Sequence, residues 1–412
     1  MDDHGGPGDG RPECPFDVVA PTPFYTPGGC SARILGELRG LSASCVAPAV
    51  YTYGTGQDVP GIRTIRAGPR VPGLTTGFHW SRPGMDVLLA RRFLTTSRRP
   101  TSLHVHLHEG ALIGRIDRSL RGVPYVADLQ GSLAEETLRY AGNGTLRRAR
   151  STLDWVERVV ERGASFVITS SPGMEQALRD RWPERTERIR CIDDGVPEEL
   201  ILEPRDRPEA RASIRARLDD PADRIVIAYM GSLSPSQGID RLLTAAPEIF
   251  RRVPHAYLRL YGVPNPGSSI EAYLALCRGL GIESRVAFMG PIPYAEATRA
   301  LAGADIAITW KANPLEGNGK IPVYMAAGLP TVVLRSPSAE RYLGPDGARG
   351  GILANSIPEA VDGVVRLAGD PTQRDRLGAA ALRVAREELT WADRGRQILE
   401  IHRTVAATGP AG

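Results

Sequence analysis

The 412-residue chain is short of lysine. Only Lys311 and Lys320 carry an ammonium; every other strong cation among its 51 basic residues is arginine. It also lacks an apolar run approaching the roughly 18 residues a membrane helix needs, so no segment is expected to span a bilayer. Cysteine is sparse. Cys14, Cys30, Cys45, Cys191 and Cys277 are odd in number, widely spaced and without a CxxC pair. That argues against a disulfide framework or a zinc site, and predicts five reduced thiols in a cytoplasmic protein. Basic residues exceed acidic ones by only four, 51 against 47, which makes no case for a nucleic-acid partner. No Lys/Arg-rich amphipathic helix stands out, which argues against an acceptor held at a membrane surface. The first sixteen residues are acidic and rich in Gly and Pro, without the basic start and apolar stretch of a secretion signal.

What is abundant is a repeated alternation of short β-branched runs with helical patterns. In the first half the runs fall at 16–20, 44–50, 102–107, 124–129, 165–170 and 188–193, with helical patterns at 30–39, 110–121, 144–163 and 172–182. In the second they fall at 224–231, 256–262, 285–290, 305–310, 330–335 and 350–354, with helical patterns near 238–252, 269–281, 294–303, 322–328 and 356–369. Alternation of this kind predicts βαβ units and mostly parallel sheets, an α/β fold with two Rossmann-like doubly wound domains facing across a cleft. The boundaries expected are a disordered tail at 1–15, an N-terminal domain at 16–200 and a charged, Pro-containing linker at 201–223. A C-terminal domain at 224–385 and a crossover helix at 386–406 that returns to the first domain complete the chain. Ligands of open parallel sheets bind at the carboxyl ends of the strands, so the cleft is the expected site.

Three segments could hold phosphate. Gly28 and Gly29 follow the first strand and open a helix, where backbone amides can approach an anion. Gly231 and Gly238 bracket a loop containing Ser232 and Gln237; it is neither a GxGxxG fingerprint nor a Walker loop. The third segment runs through Glu316, Gly317, Asn318, Gly319 and Lys320 into a helix expected to start near Pro322 and to stop at Gly328. A lysine between glycines and a helix start suits a diphosphate.

With these residues in view, the second half resembles the retaining glycosyltransferases of GT-B architecture, glycosyltransferase family 4. The matching stretches are GSLSPSQGID (231–240), LRLYG (258–262), RVAFMGPIPYAEATRALAGADIAI (285–308) and KIPVYMAAGLPTVV (320–333); the first half fits more loosely through TPGG (26–29), HVHLHEG (104–110), GVPYVADLQGS (122–132) and CIDDGVP (191–197). The resemblance implies a nucleotide-diphosphate sugar held mainly by the C-terminal domain and a small-molecule acceptor held mainly by the N-terminal one. It implies no cofactor beyond the nucleotide-sugar co-substrate and no metal. It further implies front-side transfer with retention, in which stabilising the leaving diphosphate matters more than a protein nucleophile. Gly262, Gly290 and Ile292 fall where the family contacts the donor, as do Ile321 and Val323.

The departures from the family pattern lie in the charges. The loop Arg and Lys of typical members are Ser232 and Gln237, so Lys320 is expected to take over much of the diphosphate neutralisation. The second Glu of the family's Glu-x7-Glu is Val323, and Glu316 stands one residue out of register with the first. In the N-terminal domain Gln130 replaces a histidine, with Asp128 nearby. His104, His106 and His108 alternate, which places them on one face of an expected strand. His108 and Glu109 lie at its carboxyl end, where Glu109 or Asp128 could orient or deprotonate an acceptor. No metal site is assigned. The oligomeric state is open. Three rivals remain: an epimerase-type enzyme on the same scaffold, a catalytically inactive GT-B partner protein, and a coupling enzyme that uses a cyclitol-like donor.

Overall fold

The computed structural model describes residues 12, 14–26, 28–46, 48–74, 79–135, 150–265, 268–311 and 313–408; the tail expected at 1–15 lies almost wholly outside them. The chain divides into two compact units. One comprises residues 1–170, 174–193 and 391–412, the other residues 171–173 and 194–390.

The first unit is built on β1 (Phe16–Ala20), α1 (Gly29–Ser42), β2 (Val50–Tyr53), β3 (Thr64–Ala67), α2 (Arg82–Thr96), β4 (Ser102–His106), α3 (Leu107–Arg121), β5 (Tyr125–Leu129), α4 (Arg150–Gly163), β6 (Phe166–Thr169), α5 (Pro172–Arg181) and β7 (Ile189–Cys191). Its seven strands are parallel, in the order β3-β2-β1-β4-β5-β6-β7. A sheet covered on both faces needs continuous apolar strands, and these strands supply them. Met85, Leu89, Phe93, Ile113, Val160 and Leu178 from α2 to α5 pack on one face. Ile34, Leu38 and Leu41 of α1 pack on the other with Ile398, Ile401 and Val405.

The second unit holds α6 (Arg207–Arg217), β8 (Ile225–Met230), α7 (Ile239–Arg252), β9 (Ala256–Tyr261), α8 (Ile270–Gly279), β10 (Val286–Gly290), α9 (Ala297–Leu301), β11 (Ile306–Thr309), α10 (Lys320–Ala326), β12 (Thr331–Leu334), α11 (Pro337–Leu343), β13 (Gly351–Ala354), α12 (Ile357–Gly369) and α13 (Pro371–Glu388). Its six strands are again parallel, in the order β10-β9-β8-β11-β12-β13. The chain then re-enters the first unit as α14 (Trp391–Thr408), which lies along α1. Their backbones touch at Gly40 and Gly395: a Cβ on Gly395 would stand 2.3 Å from the Gly40 carbonyl carbon, so only glycine permits the approach.

Several expectations are corrected. The strand expected at 44–50 starts at Val50, because Pro48 cannot donate to a ladder. β3 and α2 were not foreseen. The expected linker at 201–223 is an integral part of the second unit: Ile214 is buried, and Arg211 and Arg215 of α6 pair with buried Asp305 at 2.6 and 2.5 Å. Charge marked this segment as solvent-facing, but the arginines spend their charge on one inward carboxylate, which also accepts from the Val226 amide at 2.8 Å. Besides the short excursion at 171–173, the chain passes from one unit to the other at 193/194 and back at 390/391 rather than at 200 and 385. Cys14 and Cys45 form a disulfide, Cα atoms 5.4 Å apart, where free thiols were expected. Folding brings together two cysteines whose spacing of 31 residues carries no signal.

Candidate functional site

In the second unit the carboxyl ends of three neighbouring strands are finished by glycines. The Gly231 amide donates to Tyr261 O at 2.9 Å, and the Gly262 amide to Gly290 O at 2.8 Å. Gly231 has φ +143°, and a Cβ there would stand 2.4 Å from Cε of Lys320; a Cβ on Gly262 would stand 1.8 Å from Gly231 O. The lysine stem therefore passes directly over the backbone at the end of β8, through space that any side chain would fill.

The Lys320 ammonium donates to Gln237 Oε1 at 2.6 Å and lies 5.7 Å from the Tyr229 ring centroid. Burial pushes its pKa down, Lys311 adds to the shift, and Glu316 and Asp194 oppose it; the result is about 7. Ser232, partly buried, accepts through its carbonyl from the Tyr229 hydroxyl at 2.8 Å. The sequence-predicted Gly231, Ser232, Gln237 and Lys320 thus form one cluster of amides, an amide side chain and an ammonium.

The loop that carries Lys320 is folded around the other lysine. Lys311 Nζ meets Glu316 Oε2 at 2.6 Å and donates to Gly317 O at 2.9 Å, while Asn313 Nδ2 donates to Glu316 Oε1 at 2.8 Å. Glu316 is thereby a strut rather than an open carboxylate. Gly319 sits against Asp194, since a Cβ there would stand 2.5 Å from Asp194 Oδ2. Asn318 is buried, and its Oδ1 has no hydrogen-bond partner.

Lys320 is the first residue of α10 rather than a residue before it; the helix ends at Ala326, and left-handed Gly328 (φ +67°) follows its C-cap Ala327 and stops it as expected. Seven residues make about two turns, too short for much of a macrodipole, so the ammonium rather than the helix end carries the positive charge. Ile321 and Val323 are 0% and 2% exposed and belong to two hydrophobic clusters. Their side chains are taken up by packing, because α10 is buried on all sides from Ile321 to Ala326. Gly290, with φ +75°, and partly buried Ile292 stand at and after the end of β10.

In the first unit the expected residues fall into separate settings. Gly28 caps α1 and Gly29 begins it; a Cβ on either would meet nothing within 4 Å, so packing does not require glycine there. Glu109 pairs with Arg82 at 2.9 Å. His108 is not on the strand with His104 and His106: β4 ends at His106, and His108 lies in the first turn of α3 with Nε2 4.0 Å from Glu157. Gln130 follows β5, its Nε2 buried without a hydrogen-bond partner.

Asp128 is fully buried, and Arg33 holds it with two bonds of 2.9 and 3.1 Å while His106 Nδ1 lies 3.1 Å away. Burial raises its pKa, but Arg33 and His106 outweigh burial and hold the carboxyl well below the usual range. It cannot take a proton from an acceptor, which corrects the expectation of a base. Around it lies a network absent from the sequence reading. Arg33 also meets Glu37 at 3.0 Å, His104 Nε2 stands 3.2 Å from Glu37, and His104 Nδ1 and Ser102 reach His402 of α14 at 3.0 and 2.8 Å. Ligand atoms of Glu37, His104, His106 and Asp128 lie within 4.8 Å of one another, a spacing that could hold a metal ion. The guanidinium of Arg33 already supplies positive charge to both carboxylates. Burial, then Asp128, raises Glu37 to about 8, and burial lowers His104 to about 4. Burial thus favours a protonated Glu37 and a neutral His104 beside the Arg33–Asp128 ion pair.

Sequence reasoning missed Lys311, Tyr229, Asp194, Arg33 and Glu37. Only Lys311 had a visible signal, its rarity. The others act through contacts made by folding.

Residues 28–195 match the family model of the glycosyl transferase 4-like domain, and residues 224–370 that of the glycosyl transferases group 1. The chain is 30% identical over 298 residues to a GDP-mannose-dependent alpha-(1-6)-phosphatidylinositol monomannoside mannosyltransferase of Mycolicibacterium smegmatis, with 71% of this chain and 73% of that one covered. It is 25% identical over 408 residues to a D-inositol 3-phosphate glycosyltransferase of Nocardioides sp., with 92% and 86% covered. Among solved structures it is similar to sucrose-phosphate synthase of Thermosynechococcus elongatus, with a TM-score of 0.77 at 19% identity and 95% and 99% covered. Anabaena HepE in complex with UDP gives 0.72 at 18% identity, with 94% and 99% covered. Two parallel-sheet Rossmann-like units, a glycine-and-lysine rim on the second, and these matches along both halves lead to one conclusion: the chain belongs to the GT-B glycosyltransferases, with a family 4-like first half and a group 1 second half.

Proposed function

We propose that the protein transfers a hexose-like sugar, with retention, from a nucleotide-diphosphate donor to a small soluble acceptor through an oxygen, nitrogen or sulfur nucleophile. The observation that carries this reading is the Lys320 ammonium, held by a neutral amide, its stem passing over the glycine that ends β8. A diphosphate there gains a charge-assisted partner and displaces only a neutral one. As the glycosidic bond to the donor breaks, negative charge grows on the leaving phosphate, and a positioned ammonium stabilises that charge most where it is largest.

The carboxylates support front-side transfer. Glu316 is matched by Lys311, Glu109 by Arg82 and Asp128 by Arg33. A carboxylate already committed to a cation is a poor nucleophile and a poor base, which leaves the departing phosphate oxygen to receive the acceptor proton. In this reading the nucleotide sugar is the co-substrate and no metal or further cofactor enters the transfer. Gly262, Gly290 and Ile292 border the nucleotide, Gly317, Asn318, Gly319, Gly28 and Gly29 serve the phosphates, and Gln130 hydrogen-bonds the donor sugar or the acceptor. Relatives that act on inositol 3-phosphate and on a phosphatidylinositol mannoside make a cyclitol phosphate the acceptor to try first. A cytoplasmic role in natural-product assembly remains part of the proposal.

Thermal-shift measurements with UDP, GDP, dTDP and ADP test the donor half; a nucleotide at 100 times its dissociation constant stabilises by about 2.7 kcal/mol. The nucleotide sugar that scores is then incubated with cyclitol acceptors and the anomeric configuration of the product is read by NMR. Retained configuration supports the proposal. Inversion, or epimerised donor without acceptor, rejects it, and no shift with any nucleotide favours an inactive partner protein.

A further inference from the structure

Among the described residues, nine large apolar side chains are exposed, and all but Val263 belong to the first unit. Seven of those eight, leaving out Val46, lie on α2, α3 and α4 or just before α2: Trp80, Val87, Leu88, Leu112, Ile116, Leu120 and Trp155. These helices form one layer, since Met85 and Phe93, Ile113, and Val160 all enter the same core cluster. Their outer surface is therefore a single face. On α3, Leu112, Ile116 and Leu120 recur every fourth residue and form a stripe 44%, 39% and 70% exposed.

The charge on that face has one sign. Arg91, Arg92, Arg115, Arg158 and Arg162 are exposed, whereas Asp117, Glu157 and Glu161 are buried and Asp86 and Glu109 are tied to Tyr53 and Arg82. Asp154 reaches the surface and faces Arg150. Beside the stripe is a groove of about 710 Å³ lined by Arg115, Trp155, Arg158, Val159, Arg162 and Trp182. The Arg162 guanidinium lies 5.8 Å from the centroid of Trp182. The expectation that no Arg-rich amphipathic helix exists is thus corrected: α4 places Trp155, Arg158 and Arg162 along one face.

Guanidinium groups match phosphate geometry, indoles favour the boundary between headgroups and acyl chains, and an apolar stripe gains by leaving water. We propose that this helix layer is a docking surface for an anionic phospholipid bilayer. Headgroup phosphates sit in the groove between α3 and α4, and Leu112, Ile116, Leu120 and Trp155 lie against the acyl boundary. The proposal uses no residue of the donor site and stands apart from the donor reading.

The test is co-sedimentation with vesicles of phosphatidylcholine, with and without phosphatidylglycerol. The full chain is expected to sediment only with the anionic vesicles, and less so as salt rises. Arg158→Glu/Arg162→Glu and Ile116→Glu/Leu120→Glu are each expected to lower partitioning at least about tenfold, with circular dichroism and melting temperature unchanged. Tryptophan emission is expected to shift to shorter wavelength on anionic vesicles, a shift that is smaller in Trp155→Phe. Equal sedimentation with both vesicles, no sedimentation at millimolar lipid, or folded variants that partition like the parent would overturn it. So would inorganic phosphate alone reproducing the emission shift, which would mark a free-anion site, or an acidic protein binding this face while vesicles do not.

Discussion

Lys320 Nζ and Gln237 Oε1 are 2.6 Å apart, so the ammonium at the end of β8 is held by a neutral amide, not by a carboxylate. A carboxylate would neutralise the ammonium and repel an incoming diphosphate. The amide fixes its position and leaves its charge available.

That arrangement fixes a pH dependence. The pKa of Lys320 is lowered from 10.5 to about 7. In the folded protein the proton is lost first, so stability from this group is lowest below pH 7 and rises as pH climbs from 7 toward 10.5. A bound diphosphate favours the charged form, so binding takes up a proton over the same window. The affinity for a nucleoside diphosphate, measured by titration calorimetry, is expected to fall by up to about tenfold per pH unit above 7. In Lys320→Arg, which stays charged, the profile is expected to be flat.

Gly231→Ala forces a methyl into the path of the Lys320 stem at a φ that disfavours side chains. A stability loss of about 1–3 kcal/mol is expected by chemical denaturation. The nucleotide-induced thermal shift is expected to vanish while circular dichroism stays native.

In the first unit, Glu37→Gln and Arg33→Leu are expected to part sharply. Glu37 is raised from 4.5 to about 8, so the folded protein keeps a proton that the unfolded chain has released, and stability from this group falls as pH rises from 4.5 to 8. Glutamine mimics the protonated carboxyl. It should cost about 1 kcal/mol or less at pH 7 and remove that decline. Arg33→Leu leaves Asp128 charged and unmatched, at a cost of about 3–5 kcal/mol. Urea denaturation across pH separates the two.

Asp305→Ala should cost a similar 3–5 kcal/mol, since it strips the partner from Arg211 and Arg215 and from the Val226 amide. If residues 201–223 were a mere tether, the variant would unfold at the same urea concentration as the parent.

Both parallel sheets could be read from the chain because a buried parallel strand is an uninterrupted β-branched run, as in IVIAYM of β8. The rim at Gly231, Gln237 and Lys320 was legible too, through glycines placed at a strand end and a lysine in an arginine-rich chain. What stayed hidden depends on contacts distant in sequence. Arg33 and Asp128 are 95 residues apart, and Ser102 and His402 are 300 apart. No local spacing announces such pairs. His108 was misplaced for a local reason: alternation continues one step beyond β4, although the backbone has already turned into α3 at Leu107. Ile321 and Val323 look accessible beside Lys320, yet in a helix their neighbours in space are residues three and four positions away.

The most direct measurement is titration calorimetry of a nucleoside diphosphate at pH 6.5 into the parent protein and Lys320→Ala. At this pH Lys320 is mostly charged, and loss of its charge-assisted contact is expected to weaken binding by about tenfold or more. Equal dissociation constants for the two proteins, both folded, would contradict the assignment of Lys320 to the diphosphate.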